Sequence, residues 1–243
     1  MKKIRIAVYI LHIVIFLGIF IPDTKLYTFY FSNHYMPIFL YTIITFTTMP
    51  FYQLACGDPG FINFDDNQPL ECRNLFFCTK CQHYIPIRAG HCKKCGKCVL
   101  RKDHHCPFLD TCIGMNNHLY FLLYLFFESV FCIASITNYA PGMKDDLPFI
   151  KWLYTSLPCT FFLAFSFVIL LQPIILFPFH SYLMFSNRTT WEVLKSRSIS
   201  YLSKWFYSMS PFSHGILGNM KEFISMRWTH PVYSVPETDE DMN

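Results

Sequence analysis

The chain has 243 residues, 53% of them hydrophobic and 15% charged, with 27 phenylalanines. A soluble domain of this length needs more polar surface, so the composition points to a membrane protein with room for several spans and one modest polar domain. A formal net charge of +4 is too small and too dispersed to argue for a nucleic-acid partner.

A helix needs about 20 apolar residues to cross the hydrocarbon core. Four stretches approach that length: 6–21, 36–55, 119–140 and 152–179. The first has the basic start of a signal peptide (Lys2, Lys3, Arg5), but no small-x-small cleavage site follows, so it is expected to stay as a span. The third carries one acid, Glu128, which inside a membrane is expected to face protein. The fourth contains Pro158, Pro173 and Pro178, which are expected to kink it.

Basic residues orient these spans. Three precede the first stretch, eight lie in 56–118 and six follow Phe179, against one (Lys25) and two (Lys144, Lys151) in the other loops. That bias places both termini and the 56–118 loop in the cytosol. The sequon Asn187-Arg188-Thr189 would then face the cytosol and stay unmodified.

Seven of the 11 cysteines lie between Cys78 and Cys112. In a reducing compartment such a cluster favours metal over disulfides. Cys78-x2-Cys81 and Cys92-x2-Cys95, the latter interleaved with Cys95-x2-Cys98, have zinc-knuckle spacing. The window offers eleven donors once His83, His91, His104 and His105 are added, and two closed tetrahedral sites take eight. Three are then spare, unless one site uses water or a third metal is bound. His83 is the first of these, and spacing alone does not choose among the other pairings. The loop lacks the apolar content to build its own core, so metal is expected to supply its folding energy.

Within "RKDHHCPFLDTC" an extended segment would put His104 and Cys106 on one face and His105 on the other. A histidine next to a cysteine promotes the thiolate, and an acid such as Asp103 fixes the imidazole tautomer. Cys106 precedes the third span by only 13 residues, a position suited to a substrate with a polar head and a hydrocarbon tail. Thr189-x-x-Glu192 also reads as a helix capping box.

Taken together, these segments resemble the DHHC-type protein S-acyltransferases (palmitoyltransferases). The resemblance runs from Asp58-Pro59-Gly60 through the Cys78–Cys112 pattern and Thr189-Thr190-Trp191-Glu192 to "SPFSHGILGNMKEF", where Asn219 holds the place of a characteristic asparagine. It implies an all-α polytopic membrane protein with four transmembrane helices and a cytosolic zinc-bound cysteine-rich domain between the second and third. The corresponding boundaries are 1–56 for helices 1 and 2, 57–118 for the zinc domain, 119–185 for helices 3 and 4, and 186–243 for a cytosolic C-terminal segment.

The resemblance also implies what spacing left open. One structural Zn2+ would be held by Cys78, Cys81, His91 and Cys98, and a second by Cys92, Cys95, His105 and Cys112. Cys106 would be the nucleophile, His104 its base and Asp103 the orienting acid. A long-chain acyl group, palmitoyl by resemblance, would pass from acyl-CoA to Cys106 and then to juxtamembrane cysteines of cytosolic or membrane-associated proteins. Lys93, Lys94, Lys97, Arg101 and Lys102 are candidates for the CoA phosphates, or else a solvated face near anionic lipid. Family habit suggests the endoplasmic reticulum or Golgi. The competing reading is a membrane-anchored zinc module, a ubiquitin-ligase-like adaptor without catalysis, which has no use for a spare nucleophile.

Overall fold

A computed structural model describes residues 10, 13–14, 35–63, 75–140, 146–199, 201–202 and 210–234. These form five α-helices: α1 (Tyr35–Cys56), α2 (His118–Tyr139), α3 (Phe149–Ser186), α4 (Thr190–Lys195) and α5 (Gly215–Thr229). Six short strands lie between α1 and α2: β1 (Leu75–Cys78), β2 (His83–Pro86), β3 (Gly90–Cys92), β4 (Lys97–Val99), β5 (His104–Cys106) and β6 (Thr111–Ile113).

Two described helices are long and apolar enough to cross a membrane, over His118–Thr137 and Ser156–Ser186. Only 11% of the most apolar part of the second is buried, and Phe161, Val168, Leu171 and Ile175 point outward from it. An apolar helix with an apolar outer face suits lipid. The stretch 36–55 is helical as α1, a 22-residue helix, but is not among the two. Most of the stretch 6–21 lies outside the described residues. The three prolines of the fourth stretch are accommodated within one continuous 38-residue helix.

The chain divides into two compact units. The first comprises residues 1–52 and 122–178. Its centre is Ile43 of α1 against Phe131 of α2, with Ile44, Val130, Ala134 and Phe165 packed around them. Phe46 stacks on Phe127 at 5.1 Å and Tyr139 on Phe162 at 5.4 Å. Hydroxyls in these helices return to the backbone, as Thr47 Oγ1 donates to Ile43 O and Ser135 Oγ to Phe131 O, so neither meets an apolar environment bare. Glu128 is buried at 2% exposure with Cys132 Sγ 4.0 Å away.

The second unit comprises residues 53–121 and 179–243. Here the all-α expectation is corrected: the cysteine-rich segment is three successive antiparallel hairpins, β1–β2, β3–β4 and β5–β6. The physical reason is the ligand spacing. A Cys-x2-Cys pair can close on one cation around a tight turn, and the three- and four-residue runs between turns are too short for a helix.

The hairpins repeat every fourteen residues. Cys78, Cys92 and Cys106 each end the first strand of a hairpin. Gln82, Gly96 and Asp110 each close the turn in a left-handed conformation, at φ 57°, 67° and 47°. The apolar content is sparse, as expected. Cys78, Ile85 and Cys98 form one small cluster, and Cys92, Val99 and Cys112 another.

A buried polar network ties the hairpins to the C-terminal segment. The Arg88 guanidinium forms a bidentate pair with Glu192, Nε to Oε1 at 2.7 Å and Nη2 to Oε2 at 2.9 Å. Its Cζ lies over the rings of Phe212 and Tyr233, 4.4 and 4.5 Å from their centroids. Burial opposes its charge, but Glu192 outweighs that and raises its pKa. Asn187 Oδ1 accepts from Arg88 at 3.0 Å and from Arg101 at 3.1 Å, while its amide donates to Phe212 O and Glu222. That buried, fully bonded amide is no acceptor for a glycan. Asn219 anchors α5 by donating to Phe185 O at 2.6 Å.

Removing one partner of a buried ion pair leaves an uncompensated charge, at a cost of about 3–5 kcal/mol. Arg88→Ala is therefore expected to lower the unfolding free energy of the purified chain in detergent by that amount. Arg88→Leu combined with Glu192→Leu should recover most of it. Chemical denaturation of the three proteins measures both effects.

Candidate active site

Two groups of four donors are assembled by the hairpins. Each takes a knuckle from one hairpin and a cross-strand pair from the next. Cys78 and Cys81, at the turn of the first hairpin, meet His91 and Cys98, which face each other across β3–β4. Cys92 and Cys95, at the second turn, meet His105 and Cys112, which face each other across β5–β6. Within each group the donor atoms lie within 4.8 Å of one another. In the first, Cys98 Sγ is 3.6 Å from Cys78 Sγ and 3.4 Å from Cys81 Sγ, and Cys81 Sγ is 3.2 Å from His91 Nδ1. In the second, Cys95 Sγ is 3.3 Å from His105 Nδ1 and 3.5 Å from Cys112 Sγ.

These spacings fit a tetrahedral cation with ligand bonds of about 2.0–2.3 Å, and Cys3His is a zinc donor set. Burial, reinforced by neighbouring sulfurs, pushes the Cys98 and Cys112 thiols up. A divalent cation is the group that reverses this and lets the sulfurs ionise together. Both groups can therefore bind zinc. His83 stands exposed on β2 and joins neither.

His104, Asp103 and Cys106 fall outside both groups. Strand β5 turns His105 towards Cys92, Cys95 and Cys112 and leaves His104 on the other side. His104 Nδ1 is 2.7 Å from Asp103 Oδ2, and Cys106 is its other side-chain hydrogen-bond partner. With Nδ1 committed to the carboxylate, Nε2 is the nitrogen that faces the sulfur. Cys106 itself is 3% exposed.

Asp103 is 1% exposed. Thr190 supplies it twice, from N to Oδ1 at 2.7 Å and from Oγ1 to Oδ2 at 2.8 Å. The expected capping box is also present: Thr189 Oγ1 accepts from Glu192 N, and Glu192 Oε2 accepts from Thr189 N. The motif thus does three jobs, capping α4, pairing Arg88 and holding Asp103. Burial by itself would raise the Asp103 pKa, but the surrounding imidazoles and the hydrogen bond to His104 keep it well below the usual carboxylate range. Burial would lower that of His104, but Asp103 and then Cys106 outweigh it and raise it to about 9.

Other motif residues have local duties. Asp58 Oδ1 accepts from Gly60 N and Phe61 N, closing a turn in which Gly60 has φ 101°. Among the basic candidates, Lys93, Lys94 and Lys97 are exposed. Lys102 Nζ donates to His91 O. Arg101 is corrected: at 2% exposure, bonded to Asn187 and His118, it is a buried structural cation and not a phosphate ligand on the surface. Sequence reasoning missed His118 and His180, which are 0% and 2% exposed beside Asp103. Both sit at span ends, where a histidine in an apolar run is itself a signal.

The family model for the DHHC palmitoyltransferase matches residues 71–197. The chain is 36% identical over 160 residues to a putative ZDHHC-type palmitoyltransferase 7 of Dictyostelium discoideum, covering 65% of this chain and 36% of that protein. It is 31% identical over 170 residues to human palmitoyltransferase ZDHHC2, covering 65% and 43%. Human palmitoyltransferase ZDHHC12 is 29% identical over 200 residues, covering 77% and 74%. The chain thus spans less than half the length of the first two.

A histidine whose pKa is raised from 6.5 to about 9 contributes stability that is complete below the unfolded value and lost as pH rises through the folded one. The denaturation midpoint is therefore expected to fall between pH 6.5 and about 9, and Asp103→Asn should abolish most of that fall. An NMR titration of the His104 ring should show its pKa dropping towards 6.5 in the same variant.

Proposed function

Because the chain belongs to the DHHC palmitoyltransferase family, we propose that it is a membrane-bound protein S-acyltransferase. It moves a long-chain acyl group, palmitoyl foremost, from acyl-CoA to protein cysteines through an acyl-Cys106 intermediate. The observation that carries this reading is the hydrogen-bonded line Asp103–His104–Cys106 beside two complete four-donor groups. A pure binding module would have no reason to keep a polarised thiol out of its metal sites.

The residues divide the chemistry as follows. Asp103 holds the Nδ1–H of His104, so Nε2 takes the thiol proton of Cys106. The Cys106 sulfur attacks the thioester carbonyl, the carbon–sulfur bond to CoA breaks, and the CoA sulfur takes the proton from His104. An acceptor cysteine then repeats the exchange, its proton passing through His104 and its sulfur taking the acyl group from Cys106. One thioester is traded for another at each step, so neither needs an energy source.

Cys78, Cys81, His91 and Cys98, and Cys92, Cys95, His105 and Cys112, would each hold one structural Zn2+, which supplies folding energy to hairpins with little core. The four apolar stretches would be the spans, and the charge distribution would orient them with termini and hairpins in the cytosol. Protein substrates would be cytosolic or membrane-associated chains with juxtamembrane cysteines, and the membrane that of the endoplasmic reticulum or Golgi.

Incubating the purified chain with a palmitoyl-CoA analogue is expected to give a hydroxylamine-sensitive adduct. Cys106→Ser should lose the adduct while zinc stays at two per chain; labelling that survives would sink the assignment of the nucleophile. Cys95→Ser should lower the zinc content towards one and destabilise the hairpins, as metal analysis and limited proteolysis would report.

A further inference from the structure

Two polar side chains beside Asp103, His118 and His180, have no part in the reaction just described. Asp103, His118 and His180 each offer a donor atom within 4.8 Å of the others, and both histidines are buried. By distance alone this trio suits a divalent cation. Two contacts argue otherwise. His118 Nε2 and His180 Nδ1 are 2.9 Å apart, hydrogen-bond distance and closer than the roughly 3.3 Å expected between two nitrogens sharing a tetrahedral metal. Arg101 Nη1 lies 3.4 Å from His118 Nδ1. A guanidinium only donates, so His118 Nδ1 must accept. The hydrogen of neutral His118 is then on Nε2, which donates to His180 Nδ1, and the hydrogen of His180 is on its own Nε2. A nitrogen that carries hydrogen cannot ligate a metal.

We propose that Arg101, His118 and His180 are positioning residues, a one-way hydrogen-bond relay that reserves Asp103 for His104. His118 Nε2 stands 4.0 Å from Asp103 Oδ1, too far for a hydrogen bond but one small ring rotation from making one. Held towards His180, it does not compete. Among the described residues the Asp103 carboxylate then bonds Thr190 and His104. The last member of the relay also walls the imidazole it serves: the His180 ring lies 5.8 Å from that of His104 and 4.9 Å from that of Phe121. Without an acceptor at the δ position of residue 180, the His118 N–H turns to Asp103 and draws the carboxylate off His104. This inference rests on the proposed role of His104 as the base for Cys106.

The test is single-turnover acylation of the full chain in detergent by a palmitoyl-CoA analogue, over a range of concentrations. His180→Leu removes the acceptor, His180→Gln moves an amide to the ε position, and His180→Asn keeps an acceptor at δ. The Leu and Gln variants should acylate about tenfold more slowly at saturation, a fraction of the 10²–10⁴ that a general base supplies. Their half-saturating concentration should be unchanged, and the Asn variant should recover most of the rate. Zinc should remain at two per chain throughout. Equal rates in the Asn and Gln variants, an effect confined to half-saturation, or a third zinc that His180→Leu removes would each overturn the relay. Should the Leu variant fail to fold, the Asn–Gln comparison decides alone. A wild-type chain that takes no label removes the functional reading and the relay with it; one that labels while Asn and Gln match removes the relay only.

Discussion

A carboxylate at 1% exposure survives as an anion only if its lone pairs are met by donors, and this condition on Asp103 organises the second unit. The donors come from distant parts of the chain. His104 is its neighbour, but Thr190 arrives from 87 positions away. For Thr190 to reach Asp103, α4 must begin at that spot, which the Thr189–Glu192 capping box fixes. Glu192, having capped the helix, is itself buried and needs a cation, which Arg88 brings from the hairpins. One buried charge thus calls for the next, and the series ends in a network whose polar atoms are nearly all met.

Asn187 closes that network. Its side-chain oxygen serves two buried guanidiniums and its amide serves Phe212 O and Glu222. It does so from a left-handed backbone, φ 46°, a conformation asparagine tolerates better than most residues. Exchanging Asn187 for aspartate would keep the acceptor and lose the donors. Arg101, by contrast, has no carboxylate in hydrogen-bond contact, and its Nε finds no partner among the described residues. Burial and the nearby Arg88 both disfavour its charge. Such a costly cation is easiest to understand if its remaining contact, with His118, is worth keeping.

The parts of this fold that were legible in the sequence are those written in local spacing. Long apolar runs gave α2 within one residue of its start and α3 within three. The capping box was readable because its two members lie three positions apart. The cysteine pattern announced metal but not architecture, since the same Cys-x2-Cys spacing serves loops, helices and hairpins. What the sequence concealed were contacts made only on folding: Thr190 on Asp103, Arg88 on Glu192, His118 on His180. Arg101 shows the cost of reading charge by neighbourhood. It sits near four lysines, three of them exposed and Lys102 half-buried against His91 O, yet it alone is turned into the interior.

One signal in the sequence was present and unread. The donors of the second group each stand fourteen residues after their counterparts in the first: Cys78 and Cys92, Cys81 and Cys95, His91 and His105, Cys98 and Cys112. The period continues once more to Cys106, which ends the third hairpin's first strand as Cys78 and Cys92 end theirs. There the pattern stops. Leu109 holds the place of the second knuckle cysteine, and α2 begins where a fourth hairpin would supply the cross-strand histidine and cysteine. Cys106 is thus a knuckle cysteine with its partners missing. The turn that would present a sulfur to zinc presents it to His104 instead, beside two complete four-donor groups. The nucleophile role proposed for Cys106 calls for a fixed position and an unspent lone pair, and the end of a repeat suits both.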